Sequence, residues 1–217
     1  MSLRSRIGWG IHSIIQNHYR RQVSARVLEH AATRTGPKAY PPQFVDLVRL
    51  TRFVRERKPT VLWEFGAGWS TQFLAQAVAD NGVGHLYSMD AAAQWATHAR
   101  AMLPPWLEPW VEIHHSAVKK HDVGGTCAFK YAWRPEPLPQ FIYLDGPAGA
   151  KECPGNVDLL EIEERLAPGC LIVVDGRDTT AAFLRAKFRR RWRSWDDPGP
   201  LGRYFSQFNQ HYLELQA

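Results

Sequence analysis

Residues 61–75 read VLWEFGAGWSTQFLA, an apolar run that closes on an acid, then two glycines, then apolar residues at helical spacing. The run has strand length and stops at glycine, so it reads as a buried strand. The turn after it lets a ligand approach the backbone where a helix begins. Three ligand classes use such a turn. A phosphate-cradling P-loop needs Lys followed by Ser or Thr after its last glycine, and no such lysine is present. A dinucleotide turn needs a third small residue so that helix and strand can pack closely. Aligned on Gly66 and Gly68, that place falls to Thr71. The Glu64 carboxylate would also repel a pyrophosphate. A cationic, phosphate-free adenosine ligand suits the acid better.

Working outward, strands and helices alternate. Thr60–Phe65, His85–Asp90, Val111–His114, Phe141–Asp145 and Cys170–Asp175 read as strands. Thr71–Asp80, Ala91–Met102 and Val157–Leu166 read as helices between them. The pattern predicts an α/β fold: a Rossmann-like, doubly wound, mostly parallel sheet with helices on both faces. Trp192–Trp195 and His211–Leu215 predict an antiparallel C-terminal hairpin. Residues 119–140 fit neither period and read as a binding loop or a surface hairpin. At the N-terminus, Ile7 to Val27 keep helical spacing and predict one helix over 7–28. Pro37, Pro41 and Pro42 then break the chain, and a second amphipathic helix runs over Phe44–Val54. Two parts are expected: 1–54, an N-terminal helical extension packed on the core, and 55–217, the α/β domain.

The chain has 217 residues, 45% hydrophobic and 22% charged, with a net charge of +6; this is a globular composition. Arg4, Arg6, Arg20, Arg21, Arg26 and Arg34 load the start, and Arg185, Lys187, Arg189, Arg190, Arg191 and Arg193 load the end. These clusters are either solvated helix faces or a surface for an anionic partner such as a membrane. Cys127, Cys153 and Cys170 form no zinc-type pattern, and Cys170 opens an apolar run where a buried thiol fits. Their wide spacing favours a reducing, cytoplasmic setting, with peripheral membrane contact through the basic ends as the variant. No RNA-recognition motif is present, which argues against nucleic acid.

Glu64-Phe65-Gly66-Ala67-Gly68 resembles the first motif, acid-x-Gly-x-Gly, of the class I S-adenosylmethionine-dependent methyltransferases. Trp69-Ser70-Thr71 is similar to the variant in which Ser and Thr open the first helix. Asp90 ends LYSMD at about the 20-residue distance of ribose-binding acids. With YLDGPAG and LAPGCLIVVDG following in order, the resemblance covers roughly residues 55–180. It implies S-adenosylmethionine as cofactor, held by Glu64, Gly66, Ala67, Gly68, Ser70, Thr71 and Asp90, with Ser116 and Ala117 bordering the adenine.

Further acids close two strands: Asp145 in FIYLDG and Asp175 in LIVVDG, with Arg177 and Asp178 just beyond. This resembles, in part, the metal-dependent catechol-type O-methyltransferases. Asp145 and Asp175 match their metal acids, but Gly176 stands where an Asn belongs. Pro147 and Ala148 occupy the region of the family's lysine base, and Lys151 is out of register. The resemblance implies a divalent cation, Mg or Ca, on Asp145 and Asp175 with Asp178 or water completing the set. The metal-free alternative keeps Asp145 as a base and uses Arg177 to hold the acceptor. Asp145, Asp175 and Arg177 are thus the expected catalytic residues, with His114, His115 and His121 as other bases. The expected reaction is O-methylation of a small-molecule or glycan-type acceptor. The rivals are a catalytically silent binding module of the same fold and an NAD(P)-dependent oxidoreductase, against which Thr71 speaks.

Overall fold

The computed structural model describes residues 3–33, 42–197 and 209–217. Arg34, Pro37 and Pro41 lie outside these residues, as do the side chains of Arg4, Arg6 and Ile7. The N-terminal helix expected over 7–28 is two helices, α1 (Leu3–Arg20) and α2 (Ala25–Ala32). The break falls where the Ser24 hydroxyl accepts the Val27 N–H (3.4 Å) and caps α2. A serine at that point offers the backbone an alternative to continuing the helix. Helix α3 (Phe44–Arg57) follows and sinks Val45, Leu50 and Val54 completely.

The alternating part runs β1 (Val61–Phe65), α4 (Trp69–Asn81), β2 (His85–Asp90), α5 (Ala93–Met102) and β3 (Val111–His115). A hairpin of β4 (Val118–Asp122) and β5 (Cys127–Tyr131) follows, then β6 (Phe141–Leu144) and the short β7 (Gly155–Asn156). The chain closes with α6 (Val157–Ile162), β8 (Leu171–Asp175), α7 (Asp178–Lys187), β9 (Trp192–Asp197) and β10 (Gln210–Leu215). Among the described residues the main sheet has seven strands in the order β3-β2-β1-β6-β8-β10-β9. The first five are parallel, and β10 pairs antiparallel with both β8 and β9. This is the doubly wound sheet and closing hairpin expected from the alternation.

Both faces of the sheet are covered, which is why its central strands are continuous apolar runs instead of alternating ones. Leu62 and Leu86 join Leu50, Val54, Phe73 and Leu74 from α3 and α4 in one core. Trp63, Phe65, Met89 and Leu144 join Leu159 and Leu184 from α6 and α7 in the other. The stretch 119–140 begins as a hairpin, β4 and β5, and only its second part, 132–140, is irregular. The hairpin turn carries Gly124 and Gly125 at φ 59° and 79°, and Asp122 accepts the Gly125 N–H (3.1 Å). Strands β4, β5 and β7 make a second, three-stranded sheet. A disulfide between Cys127 of β5 and Cys153 holds this hairpin to the segment before β7. The pair lies 26 residues apart in sequence, and the spacing gave no sign of it. Among the described residues no helix is long and apolar enough to cross a membrane.

The chain winds from β1 to β3, then returns to place β6 on the other side of β1. The carboxyl ends of β1 and β6 therefore form the switch point where open α/β sheets bind ligands. Here two glycines meet back to back. A Cβ on Gly66 would lie 2.8 Å from the Gly146 nitrogen, and one on Gly146 would lie 2.7 Å from the Gly66 nitrogen. Gly66 also has φ 103°, where a side chain is strained. Gly66→Ala is expected to cost about 3 kcal/mol or more of stability, from backbone strain and clash together. Urea unfolding of the variant beside the wild type measures it.

Candidate active site

The Glu64 carboxylate, at the penultimate position of β1, is fully buried. It accepts hydroxyl bonds from Ser70 (2.6 Å), Thr71 (2.6 Å) and Ser88 (2.5 Å). Thr71 in turn accepts the Gly68 N–H (2.9 Å). Glu64 is thus the peg on which the glycine turn and the start of α4 are hung. Burial pushes its carboxyl up to about 7, although the bonds from Ser70, Ser88 and Thr71 pull the other way. Ser88 is a partner that motif reading missed. Its signal was a lone hydroxyl in a buried strand, in register with Glu64.

Asp90 fixes the other side of the turn. One carboxylate oxygen accepts the Ala67 N–H (2.9 Å), and the other accepts the Ala92 N–H (2.8 Å). Gly68 is different from Gly66: a Cβ there would meet nothing within 4 Å, and its φ of −175° is ordinary extended backbone. Beyond β3, the Ser116 hydroxyl donates to the Trp133 carbonyl and accepts the Trp133 N–H, both at 2.8 Å. The Ala117 carbonyl accepts the Ala132 N–H (2.9 Å). Ser116 and Ala117 therefore join the inserted hairpin to the rim of the main sheet.

Asp145 and Asp175 stand on neighbouring strand ends and line a cleft of about 560 Å³ with Gln43, Asp46, Lys151 and Arg177. The Asp145 side chain is 52% open to water at the cleft. Burial first, and then the neighbouring Asp175 charge, push its carboxyl up to about 7, while Arg177 opposes them. Asp175 accepts the Tyr143 hydroxyl (2.5 Å) and is also held above the usual carboxylate range, chiefly by burial. Arg177 is a clamp: it donates to the carbonyls of Pro147 (2.6 Å) and Asp145, and its Nε lies 3.5 Å from the Asp145 carboxylate.

Asp178 lines the same cleft. It pairs with the ring of His211 (2.8 Å), whose second nitrogen meets Asp196 (2.8 Å). Among the described residues no group of three or more His, Cys, Asp or Glu side chains is placed to hold a metal. Asp145, Asp175 and Asp178 line one cleft without forming such a group, and the Asp178 carboxylate is paired with His211. Asp46, buried on α3 and paired with Arg49 (3.2 Å), lines the cleft as well. A single acid on an amphipathic helix looks like a surface residue in sequence, so it was missed. Of the C-terminal basic cluster, Arg185 pairs with Asp196 and Arg190 holds the carbonyls of Glu163 (3.0 Å) and Leu166 (2.6 Å).

The family model described as a methyltransferase domain matches residues 63–176, more than half of the chain. The chain belongs to that family. The kinship read from Glu64–Gly68 and Asp90 holds, the protein is an S-adenosylmethionine-dependent methyltransferase, and the nicotinamide reading is set aside. Solved structures share the fold at low identity. A methyltransferase from Podospora anserina bound to S-adenosylhomocysteine is 12% identical, with a TM-score of 0.65 over 94% of this chain and 95% of that one. An O-methyltransferase from Streptomyces achromogenes, involved in tomaymycin synthesis and solved with S-adenosylmethionine, is 15% identical with a TM-score of 0.56 over 100% of both chains. An O-methyltransferase from Bacillus cereus, in complex with S-adenosylhomocysteine, is 17% identical with a TM-score of 0.55 over 88% and 89%. No curated protein matches the sequence.

Because Glu64 ordinarily titrates near 4.5 and in the fold near 7, the native protein carries a proton that the unfolded chain has released between these values. Its contribution is therefore fullest below about pH 4.5 and is lost as pH rises through 7, by about 3 kcal/mol in all at about 1.4 kcal/mol per unit. Glu64→Gln is expected to flatten this part of the stability–pH curve, measured by urea unfolding at pH 5, 6, 7 and 8.

Proposed function

We propose that this methyltransferase transfers a methyl group to an oxygen of a small-molecule acceptor, with Asp145 as general base. The observation that carries this reading is the Asp145 carboxylate itself. It opens on a cleft of small-molecule size, burial and the Asp175 charge push it up to about 7, and its own N–H is bonded to the Phe65 carbonyl at the start of the glycine turn. The O-methyltransferases from Streptomyces achromogenes and Bacillus cereus that share the fold support oxygen as the accepting atom.

The residues of the turn fit S-adenosylmethionine. The open space at Gly68 is a cradle that a side chain would fill. The first N–H groups of α4 have no acceptor within the helix, which suits the carboxylate of a methionyl group. Each Asp90 oxygen takes one backbone N–H and keeps a lone pair for a ribose hydroxyl. When bound, the cofactor supplies a methyl on a positively charged sulfur, which departs with the electron pair of the broken bond. Asp145 then removes the acceptor's hydroxyl proton as its oxygen becomes the nucleophile. Arg177 keeps Asp145 in place by holding the loop that leaves β6, so the base and the turn stay at a fixed separation. Glu64 and Thr71 act from beneath: they shape the turn and are closed off from the ligand side.

Asp145→Asn is expected to lower kcat by about 10²- to 10⁴-fold while leaving S-adenosylmethionine affinity unchanged, measured by methyl-label transfer and calorimetry. Since the base must be ionised, wild-type kcat/KM should rise with pH through about 7; loss of that inflection in the Asn variant checks the assignment. Gly68→Ala should separate binding from folding. Stability is expected to change by less than about 1 kcal/mol, since only a helix N-cap is altered. Affinity for the cofactor is expected to fall about tenfold or more, equivalent to about 1.4 kcal/mol.

A further inference from the structure

Tyr131, the last residue of β5, is 3% exposed, and its hydroxyl has no hydrogen-bond partner among the described residues. Buried hydroxyls without partners are uncommon because desolvation goes uncompensated. Its position is informative. The ring stands edge-on to Phe65 with centroids 5.1 Å apart, and it shares one buried cluster with Met89 and Leu144. Those three residues immediately precede Gly66, Asp90 and Asp145, and Phe65 is in register with both of the others. The Tyr131 ring is thus packed on the residue before Gly66, in one core with the residues before Asp90 and Asp145. Its oxygen is within electrostatic reach of Asp90, Arg177, Asp158 and Asp145, and burial keeps the phenol protonated, able both to donate and to accept.

The hydroxyl cannot easily relax toward another partner. The Tyr131 N–H is held by the buried Asp158 carboxylate (2.9 Å), and the next two residues are tied to Ala117 and Ser116. The disulfide at Cys127 secures the same strand. A polar atom held this firmly without a partner, at the junction of the Asp90 and Asp145 sides, is a contact waiting for a ligand.

Resting on the cofactor reading above, we propose that Tyr131 is a cofactor-binding residue, contributed by the inserted hairpin, whose hydroxyl takes its missing hydrogen-bond partner from S-adenosylmethionine. The contact lies between the groups met by Asp90 and the reacting end beside Asp145. Its effect is to make the hairpin part of the cofactor site instead of a surface ornament.

Tyr131→Phe tests this, because it removes one oxygen and keeps the ring. Calorimetry on the full chain should show affinity for S-adenosylmethionine and S-adenosylhomocysteine falling about 5- to 10-fold, the scale of one neutral hydrogen bond. The melting temperature without ligand should stay the same or rise, since an unsatisfied hydroxyl is lost, while the ligand-induced shift shrinks. Unchanged affinity in the variant, with wild-type binding intact, overturns this inference alone. A lower melting temperature at unchanged affinity does the same and assigns the hydroxyl a structural role. Wild-type protein that binds neither compound overturns the cofactor reading and this inference with it.

Discussion

The backbones of β1 and β6 leave the sheet so close together that neither Gly66 nor Gly146 has room for a side chain. The contact is set by hydrogen bonds on both sides: Gly66 N–H to the Met89 carbonyl (2.7 Å) and Asp145 N–H to the Phe65 carbonyl (2.9 Å). Chains at a switch point ordinarily diverge, since one strand's successor turns left and the other's turns right. Here the two chains stay in contact as far as Gly66 and Gly146. That contact brings Asp145, the residue before Gly146, alongside the turn that follows Phe65. Asp145 and the glycine turn are thus neighbours because two strands share one gap.

The same crowding sets the electrostatics. The chain carries a net charge of +6, yet the cleft gathers Asp46, Asp145 and Asp175 on adjoining elements. Net charge says little about a local field when most basic residues lie on outward faces. Burial raises the carboxyls of Asp46, Asp145 and Asp175; the Asp175 charge also raises Asp145, and Asp175 and Asp145 together raise Asp46. Arg49 beside Asp46 and Arg177 beside Asp145 limit the effect. Asp145 titrates near neutrality as the outcome of these opposed influences, and this is the condition for a carboxylate to serve as a base toward a hydroxyl at physiological pH.

The fold was legible where local rules act alone. Strand and helix alternation, the acid closing β2 and the antiparallel end were readable because burial on both faces forces apolar runs and glycine stops. The site was legible only in part. Glu64 and Gly66 sit in or beside the turn they build, and Asp90 closes the next strand at a recognisable distance. Other parts of the site arrive from elsewhere: Ser88 reaches Glu64 across a strand pair, and Asp46 enters the cleft from a helix that looks exposed. The same limit explains the disulfide, whose two cysteines meet only because β5 and β7 pair in parallel. It also explains the misread helix over 7–28: periodicity sees the apolar stripe but not the competing hydroxyl of Ser24.

The departure from the catechol-type pattern has a structural counterpart in Arg177. Both of its Nη groups are spent on carbonyls of the β6 exit loop, so the side chain is held and its charge lies near the Asp145 carboxylate. A guanidinium keeps its charge at every relevant pH. It therefore places a fixed positive charge beside Asp145 and, through the carbonyls, fixes the loop that carries Asp145. Tyr143 occupies one oxygen of Asp175, and His211 draws Asp178 away. The neighbouring acids are thereby engaged within the protein, while the Asp145 side chain stays half open to the cleft. Attack on a sulfonium methyl depends strongly on alignment, so in the proposed reaction an Asp145 held at a set distance from the glycine turn contributes geometry as well as proton affinity. The clamp joins the two: whatever loosens Arg177 should move Asp145 and alter its acidity together.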